Sequence, residues 1–396
     1  MEEVIITFII IGLSIIIYYF FQTLNNQNKD IDNKNKFKNK DSSSNNIITN
    51  QKIISEFNLK PYSFSKPPFK ILKEEDHITC FLNLSNKDFL LGQMNGMISY
   101  YNGVSYKPIL LILEHCVPVT SLFQLHDQTI LTSSADGTMR KIKILLNSSR
   151  PKKYLVEFVF YTNKEFIFKS IQMKNNDDII SCNISKELIL WKKNKNDDYP
   201  LYNVEKILLN GEYVQDLLQI NENIFITSGD ALQFWNCSNY KLFKRLLYRC
   251  KGNNSLYKLN EDFTGVLLEN DGELLLINNN TLEESKIYNL TNLSLTCLKL
   301  IDDNIMCVGT FDSKNRKSFI KQYLFCKNNK ESDINNYDIK FIEIKSEIID
   351  NSGDSNFSEK NWIRINIINK IGDKIILGLG GEENNKNFGQ SNLYSC

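Results

Sequence analysis

The chain has 396 residues, a formal net charge of +1, 42% hydrophobic residues and 23% charged residues. This content suffices for a large folded core, and the balanced charge argues against a nucleic-acid partner bound through phosphate neutralisation. Nine Cys without a CxxC pair and only three His indicate neither a disulfide framework nor a zinc site.

The N-terminal segment is strongly apolar. Val4 to Phe21 are almost all Ile, Val, Leu, Phe or Tyr. As a helix this segment spans roughly 27 Å, enough for a thin bilayer such as that of the endoplasmic reticulum. The alternative is a cleaved signal peptide, but Glu2 and Glu3 replace the basic start and bulky aromatic residues end the run. We therefore expect residues 1–24 to be an uncleaved transmembrane anchor.

The flanks of this segment predict its orientation. Acidic residues precede it, and several lysines follow it: Lys29, Lys34, Lys36, Lys38 and Lys40. The positive-inside tendency places the rest of the chain in the cytosol, at the endoplasmic reticulum membrane. Residues 25–50 are low-complexity Asn, Lys, Asp and Ser, which predicts a flexible linker.

Short apolar strands and tight turns recur from residue 51 onward. The clearest two units contain the turns Asn95-Gly96 and Asp136-Gly137, and their glycines are 41 residues apart. That spacing is the pitch of a four-stranded propeller blade, and such turns supply the positive φ of a tight hairpin. Five later units complete a count of seven: Ile180–Trp191, Ile224–Trp235, Val266–Ile277, Leu295–Tyr323 and Trp362–Gly378.

The last unit supplies about three strands, so its outer strand must come from elsewhere. Ile53–Phe57 and Phe69–Leu72 are the candidates. Lys327–Asn361 is assigned to the sixth blade plus a mobile loop, with one strand at Lys340–Lys345. The predicted fold is all-β: a seven-bladed β-propeller over residues 51–396, closed by an N-terminal strand and preceded by the transmembrane helix.

These units resemble the WD-repeat family, most closely at Thr132–Thr138. The resemblance covers residues 51–396 and implies a propeller that binds peptides or proteins. The Trp-Asp pair of that family is absent, because Lys192 follows Trp191 and Asn236 follows Trp235. Individual blade boundaries therefore stay open.

Catalytic signatures are scarce. The sequence contains no phosphate-binding loop, no HExxH, no GxSxG and no dinucleotide fingerprint. His115 adjoins Cys116, but neighbouring residues on a strand point to opposite faces, so we interpret His115 as a turn residue. Asp136, Asp216 and Asp271 are interpreted as carboxylates that order turns or strands.

A glycine-rich segment stands out near the C-terminus. A strand enters a glycine run, makes a polar excursion over residues 382–388 and returns to a strand. One interpretation is an irregular loop that uses glycine for positive φ. The other is a protruding loop that holds a cation or inserts into a partner. The residues concerned are Gly378, Gly380, Gly381, Gly389 and Asn392.

This segment resembles the glycine-rich loop of the prolactin regulatory element-binding protein family. Those membrane-anchored propellers are exchange factors for the small GTPase that starts the COPII coat. The resemblance implies a GTPase-binding loop and a potassium ion, with Asn392 as its ligand. Here the spacer is longer, the segment lies in the last blade and the anchor is N-terminal, but a closed ring tolerates such circular relabelling.

Two functions of different class follow. The first is a nucleotide exchange factor at the cytosolic face of the endoplasmic reticulum, acting without covalent chemistry. The alternative is a non-enzymatic scaffold that binds proteins at a membrane. A lumenal or secreted propeller would require cleavage of the anchor. The exchange hypothesis is preferred because it explains the glycine-rich segment.

Overall fold

The computed structural model describes residues 60–64, 68, 70–147, 152–162, 165–194, 202–208, 212–252, 254–328, 338–349, 362–383 and 386–395. The predicted anchor, the predicted linker and the candidate strand Ile53–Phe57 lie outside these residues. Within the described part, no helix is long and apolar enough to cross a membrane. The anchor therefore stays a prediction.

The described residues form strands joined by turns. In chain order the strands are β1 (Lys70–Glu74), β2 (Ile78–Asn83), β3 (Phe89–Gln93), β4 (Ile98–Tyr101), β5 (Pro108–Ile112), β6 (Val119–Gln124), β7 (Ile130–Ser134), β8 (Thr138–Ile144), β9 (Tyr154–Tyr161), β10 (Ile167–Gln172), β11 (Ile179–Asn183), β12 (Glu187–Lys193), β13 (Tyr202–Leu208), β14 (Val214–Gln219), β15 (Ile224–Gly229), β16 (Leu232–Asn236), β17 (Leu242–Leu246), β18 (Leu256–Lys258), β19 (Phe263–Leu267), β20 (Glu273–Asn278), β21 (Tyr288–Asn289), β22 (Ser294–Asp302), β23 (Ile305–Asp312), β24 (Lys317–Asn328), β25 (Asp338–Ile349), β26 (Trp362–Ile371), β27 (Lys374–Glu383) and β28 (Lys386–Ser395).

These strands form seven four-stranded antiparallel sheets, the blades of a propeller. Blades 1 to 6 take β2–β5, β6–β9, β10–β13, β14–β17, β18–β21 and β22–β25 in turn, and blade 7 joins β26–β28 to β1. The predicted seven-bladed fold is confirmed. The first strand of each blade is its inner strand, and all inner strands begin on one side of the ring. We call this side the top face; the turns between second and third strands lie there too.

The ring closes through blade 7. β1 pairs with β28 from Lys70↔Leu393 to Glu74↔Gly389. The candidate Phe69–Leu72 therefore overlaps the closing strand, as predicted. Blade 7 is complete only when the two ends of the propeller meet, so closure couples every blade to one cooperative fold.

A second closure was not predicted. The backbone of Tyr62 exchanges hydrogen bonds with the Gln322 amide, at 2.8 and 2.7 Å. Phe64 donates its N–H to Glu347 at 2.9 Å, and its ring packs edge-on against Tyr394. Tyr62 and Phe64 are both buried in the apolar cluster shared by blades 6 and 7. The segment before β1 thus holds these two blades together.

Neighbouring inner strands are also tied directly. Thr79 and Thr120 each lie at a one-residue bulge near the top of their strand. Thr79 Oγ1 donates to the Val119 carbonyl at 2.5 Å, and Thr120 Oγ1 to the Ile167 carbonyl at 2.7 Å. Asn366 continues this pattern across the closing junction, donating from Nδ2 to the Ile78 carbonyl at 3.0 Å. The bulges turn polar side chains toward the next blade.

The sixth blade has the longest outer hairpin. β24 and β25 pair from Ser318↔Ile349 to Asn328↔Asp338. The predicted strand Lys340–Lys345 lies within β25, and its assignment to the sixth blade is confirmed. Residues 329–337 and 350–361 lie outside the described residues.

Candidate functional site

The glycine-rich segment forms two paired strands. β27 and β28 pair from Lys374↔Ser395 to Glu383↔Lys386, with Gly380 opposite Gly389. The expectation of an irregular loop over residues 382–388 was therefore wrong. The two strands stay paired up to Glu383 and Lys386. All five predicted site residues are buried in blade 7.

The glycines of this segment do not adopt positive φ. The described glycines with positive φ are Gly96, Gly137, Gly272 and Gly372. In the segment, a Cβ on Gly389 would meet the Asp76 carbonyl oxygen at 1.7 Å, and one on Gly380 would meet His77 Cβ at 2.9 Å. The glycines admit the connector between β1 and β2 against the hairpin. His77 Nε2–H completes this contact by donating to the Gly381 carbonyl at 2.6 Å.

Gly378 belongs to a ring of small residues. In six blades, a small residue on the second strand faces the inner strand just below the bulge, and Gly378 does so opposite Ile367. Its counterparts are Gly92, Ser133, Cys182, Ser228 and Gly309. A Cβ on Gly92 would lie 2.4 Å from Cys80 Sγ, which shows why that position stays small. Gly378 therefore has a structural role that it shares with five other blades.

The hairpin extends beyond its counterparts. In blade 1 the second strand ends at Gln93, opposite Ile78; the same level in blade 7 is Leu379, opposite Ile365. β27 continues past Leu379 to Glu383. At about 3.3 Å per residue these extra residues add roughly 13 Å on the top side. Blade 7 thus carries a paired β-hairpin where the sequence predicted a protruding loop.

Asn392 lies inside the blade. Its side chain is 4% exposed; Oδ1 accepts from Gln390 Nε2 at 2.5 Å and Nδ2 faces Tyr394 Oη at 3.4 Å. A potassium site needs a cage of free oxygens, whereas β28 is paired on both edges, with β1 and β27. The described residues do not fit such a cage, and the potassium role of Asn392 stays a prediction.

Several exposed apolar side chains lie on the top face. Leu247, Tyr161 and Leu113 are 78%, 70% and 60% exposed, and each lies at the end of an outer strand or directly after it. Met94, Ile184 and Tyr213 lie on the same face. Exposed apolar residues on one surface are candidates for contact with a partner.

The top of blade 2 holds a hydrogen-bonded histidine. His115 is buried, with Nδ1 2.8 Å from Asp136 Oδ2 and Nε2 2.8 Å from Thr132 Oγ1. Asp136 also accepts the Thr138 N–H at 2.8 Å. Burial raises the pKa of Asp136, but the His115 and Thr138 contacts outweigh it and hold that pKa below its usual value. Cys116 is exposed, so His115 serves the turn, as predicted.

The connectors leading into the inner strands carry glutamates that sequence reasoning missed. Glu74 accepts from Gln93, Ser99 and Tyr101 at 2.7, 2.8 and 2.7 Å. Burial raises the pKa of Glu74, and this effect is larger than that of the hydrogen bonds from Tyr101 and Ser99, which lower the pKa. Three further connector carboxylates bind the next blade in the same way: Glu114, Glu165 and Glu212. These acidic groups are occupied in holding blades together.

The inner strands carry more cations than carboxylates. Their two carboxylates, Asp216 and Asp302, are paired with Lys169 at 2.5 Å and Lys370 at 2.6 Å. Lys258 pairs with Glu261 on its own connector at 2.7 Å. Two cations remain without a carboxylate among the described residues: Lys299 on β22 and Arg364 on β26. In sequence, Arg364 is a cation between Ile363 and Ile365, a pattern that could have indicated it.

Nucleophilic and metal chemistry find little support in the described part of the chain. Burial raises the pKa of the Cys80 and Cys297 thiols to about 12, so neither is a thiolate at neutral pH. No group of three or more His, Cys, Asp or Glu in that part is placed to hold a metal ion.

Comparisons with known proteins give the fold. No family model matches the chain, and no curated protein sequence matches it. The structure is similar to the β-propeller domain of Cps50 (Swd1) from Myceliophteria thermophila, with a TM-score of 0.58 and 10% identity, over 85% of this chain and 100% of that one. Since 1221 chains of solved structures are similar, this likeness identifies a widespread fold and no activity.

Proposed function

We propose that this propeller is a scaffold that binds partner proteins on its top face, held at the cytosolic side of the endoplasmic reticulum membrane by its N-terminal segment. The observation that carries the proposal is the set of exposed apolar side chains on the top face, with Leu247 78% exposed. Burying such residues against a partner is favourable at about 25 cal/mol per Å².

Matched positions on the two faces test the proposal. Leu247 on the top face and Val104 on the opposite face are 78% and 79% exposed. A photo-crosslinking amino acid is placed at either position in the full chain, expressed in its own cell type. We expect a discrete crosslinked partner from position 247 and none from position 104.

A competition step makes this test specific. Tyr213→Asp, at the top of the same blade as Leu247, should weaken the crosslink from position 247, because a charge beside the apolar contact disfavours its desolvation. The proposal fails if positions 247 and 104 crosslink alike, or if Tyr213→Asp leaves the product unchanged.

The exchange activity is a second candidate. It is supported by the extended hairpin of β27 and β28, which places a paired element above the top face of blade 7. The full chain, in nonionic detergent, is mixed with the nucleotide-loaded GTPase that starts the COPII coat, and nucleotide release is followed. Acceleration that is lost on deleting residues 382–387 supports this candidate, and no acceleration removes it.

The predicted topology has its own test. Protease added to intact microsomes should digest the propeller if it faces the cytosol. Protection of the propeller until detergent is added would place it in the lumen and contradict the predicted orientation.

A further inference from the structure

Arg364 has a buried guanidinium nitrogen without an acceptor among the described residues. It lies near the top of the inner strand β26, one residue before Ile365 and the bulge. Its Nε is buried and has no hydrogen-bond partner in the described part of the chain. The hydroxyl of Tyr257, on the inner strand of blade 5, is within reach of the Leu298 N–H but donates to no acceptor there. Buried donors without acceptors are rare in native proteins and call for a missing partner, such as an ion or a ligand.

Lys251 brings a second cation to the same side of the ring. It lies in the loop between β17 and β18, on the top face, and its Nζ donates to Ser294 Oγ, at the start of β22. Burial first, and then the charge of Arg364, lower the pKa of Lys251 to about 8; the exposed Asp271 opposes this. Ser294 begins β22 and Arg364 lies near the start of the neighbouring inner strand β26, so Lys251 and Arg364 lie on the same side of the ring, with no carboxylate paired to either among the described residues.

Lys299 extends the set along the channel. It lies on β22 below Ser294, and no carboxylate pairs with it in the described part of the chain. Burial alone lowers its pKa. The three cations come from blades 6 and 7 and from the loop leading into blade 5, so they share one sector of the ring.

The other side of the channel behaves differently. Lys169 on blade 3 is neutralised by Asp216 on blade 4, and that carboxylate also accepts the N–H groups of Leu217 and Leu256, at 2.8 and 2.9 Å. Buried charges in proteins are normally satisfied in this way. The sector around Arg364 lacks the equivalent anion.

We propose that the top mouth of the channel, at Arg364 and Lys251, binds the anionic oxygens of an acidic peptide segment of the partner protein, and that Lys299 adds positive charge below it. This inference rests on the proposed function and assigns the chemistry that the partner presents. The Arg364 guanidinium offers a planar fork for a carboxylate, Lys251 adds an ammonium group, and the Tyr257 hydroxyl adds a neutral donor. The apolar side chains of the top face then contact the remainder of the partner.

A binding measurement on the full chain in nonionic detergent tests this site. The probe is a fluorescein-labelled peptide of alternating Asp, Glu, Gly and Ser, followed by anisotropy at low ionic strength. Arg364→Met and Lys251→Met should each weaken binding at least about tenfold, the size expected when one charge-assisted hydrogen bond is lost. A peptide of the same length with Asn and Gln should not bind.

The matched control is Arg249→Gln. Arg249 lies two residues before Lys251 and is exposed, with a 3.8 Å contact to Glu269. The variant removes one positive charge from the same loop without reaching the channel, so binding should change less than about twofold. If Arg249→Gln weakens binding as much as Lys251→Met, the attraction is general surface charge and the proposal fails.

Free phosphate is the competing source of anionic oxygens. Inorganic phosphate should displace the peptide only weakly, because it lacks the peptide contacts. If phosphate binds at Arg364 while the peptide does not, the peptide assignment is overturned. Should Arg364→Met fail to fold, Arg364→Lys and Lys251→Met carry the test, and equal binding by both variants and the parent chain overturns the site.

This test separates the inference from the proposed function. The crosslink from Leu247 reports on the top face, whether or not the channel binds an anion. A crosslink that persists in Arg364→Met alongside unchanged peptide affinity overturns the channel site alone. Peptide binding with no crosslink from position 247 supports the channel site and overturns the proposed scaffold surface.

Discussion

Two sectors of the channel carry partly buried cations and differ in how these cations are paired. Between blades 3 and 4, Lys169 lies 2.5 Å from Asp216, whose side chain is fully buried. Between blades 5 and 7, Arg364 has no acceptor for its Nε, and Lys251 has only a hydroxyl. The first arrangement is complete within the chain, whereas the second leaves charge and donors unsatisfied.

The contrast separates a structural charge from a binding charge. A cation with its own buried carboxylate stabilises the contact between two blades, provided that both members stay. A cation without one makes the fold less stable and gains only when an anion arrives from outside. The two sectors should therefore respond to mutation with opposite signs.

The largest effect is expected at the complete pair. Asp216→Asn leaves Lys169 without a counter-charge and weakens two backbone hydrogen bonds, so it should lower the free energy of unfolding by about 3–5 kcal/mol. Urea unfolding of the full chain measures this. Asp302→Asn is the control, because its partner Lys370 is partly exposed, and it should lower stability by less than about 1 kcal/mol. Equal losses would contradict the distinction between the sectors.

Arg364→Met should act in the opposite direction. Removing an enclosed donor without an acceptor relieves its desolvation, so the free energy of unfolding should rise by about 1 kcal/mol. The same urea series shows it. If the same variant also loses peptide binding, Arg364 serves a ligand and lowers the stability of the free protein. A fall in stability as large as that of Asp216→Asn would mean that Arg364 is structural.

Folding stability and peptide affinity should change in opposite directions as the pH rises. The pKa of Lys251 is about 8, below its usual 10.5, because burial and Arg364 disfavour its charge. From pH 8 to 10.5 the unfolded chain holds the proton that the folded chain has released, so this residue makes stability rise with pH. Peptide affinity should fall several-fold between pH 7 and 9 as the charge is lost. Lys251→Met should remove both trends, and an unchanged profile in that variant would contradict the assignment.

The smallest effect is expected at Lys299. It has no carboxylate partner in the described part of the chain, but it lies below the mouth. Lys299→Met should raise the free energy of unfolding by less than about 1 kcal/mol and weaken peptide binding about twofold to threefold. Unfolding and anisotropy on the same preparation check this order. An effect on binding above that of Arg364→Met would move the site deeper into the channel.

The sequence predicted the architecture well for a physical reason. Asn95-Gly96 and Asp136-Gly137 are local turn signals, and the apolar runs between such turns can be buried only between neighbouring blades. Seven units, the closing strand near Phe69–Leu72 and the strand within Lys340–Lys345 followed from that pattern. The turn role of His115 also followed, because its place just before an apolar strand is a local feature, although its contact with Asp136, 21 residues away, was not predicted.

The glycine-rich segment shows where local patterns mislead. Gly378 and Gly389 suggested a loop, since glycine favours turns. In the structure they lie in strands, because Asp76 and the inner strand approach too closely for a Cβ. That approach depends on residues some 300 positions away, so no local pattern predicts it. The contacts of Tyr62 and Phe64 with blades 6 and 7 were not predicted for the same reason.

By itself, the sequence determined the number of blades, their strands and the strand that closes the ring, since short-range turns and apolar alternation specify them. Only the tertiary structure decided which charges are neutral pairs and which are not. Lys169 and Arg364 look alike in sequence, each a cation with apolar residues on both sides of it in a strand. Their difference arises because curvature brings Asp216 to the first and no carboxylate of the described residues to the second.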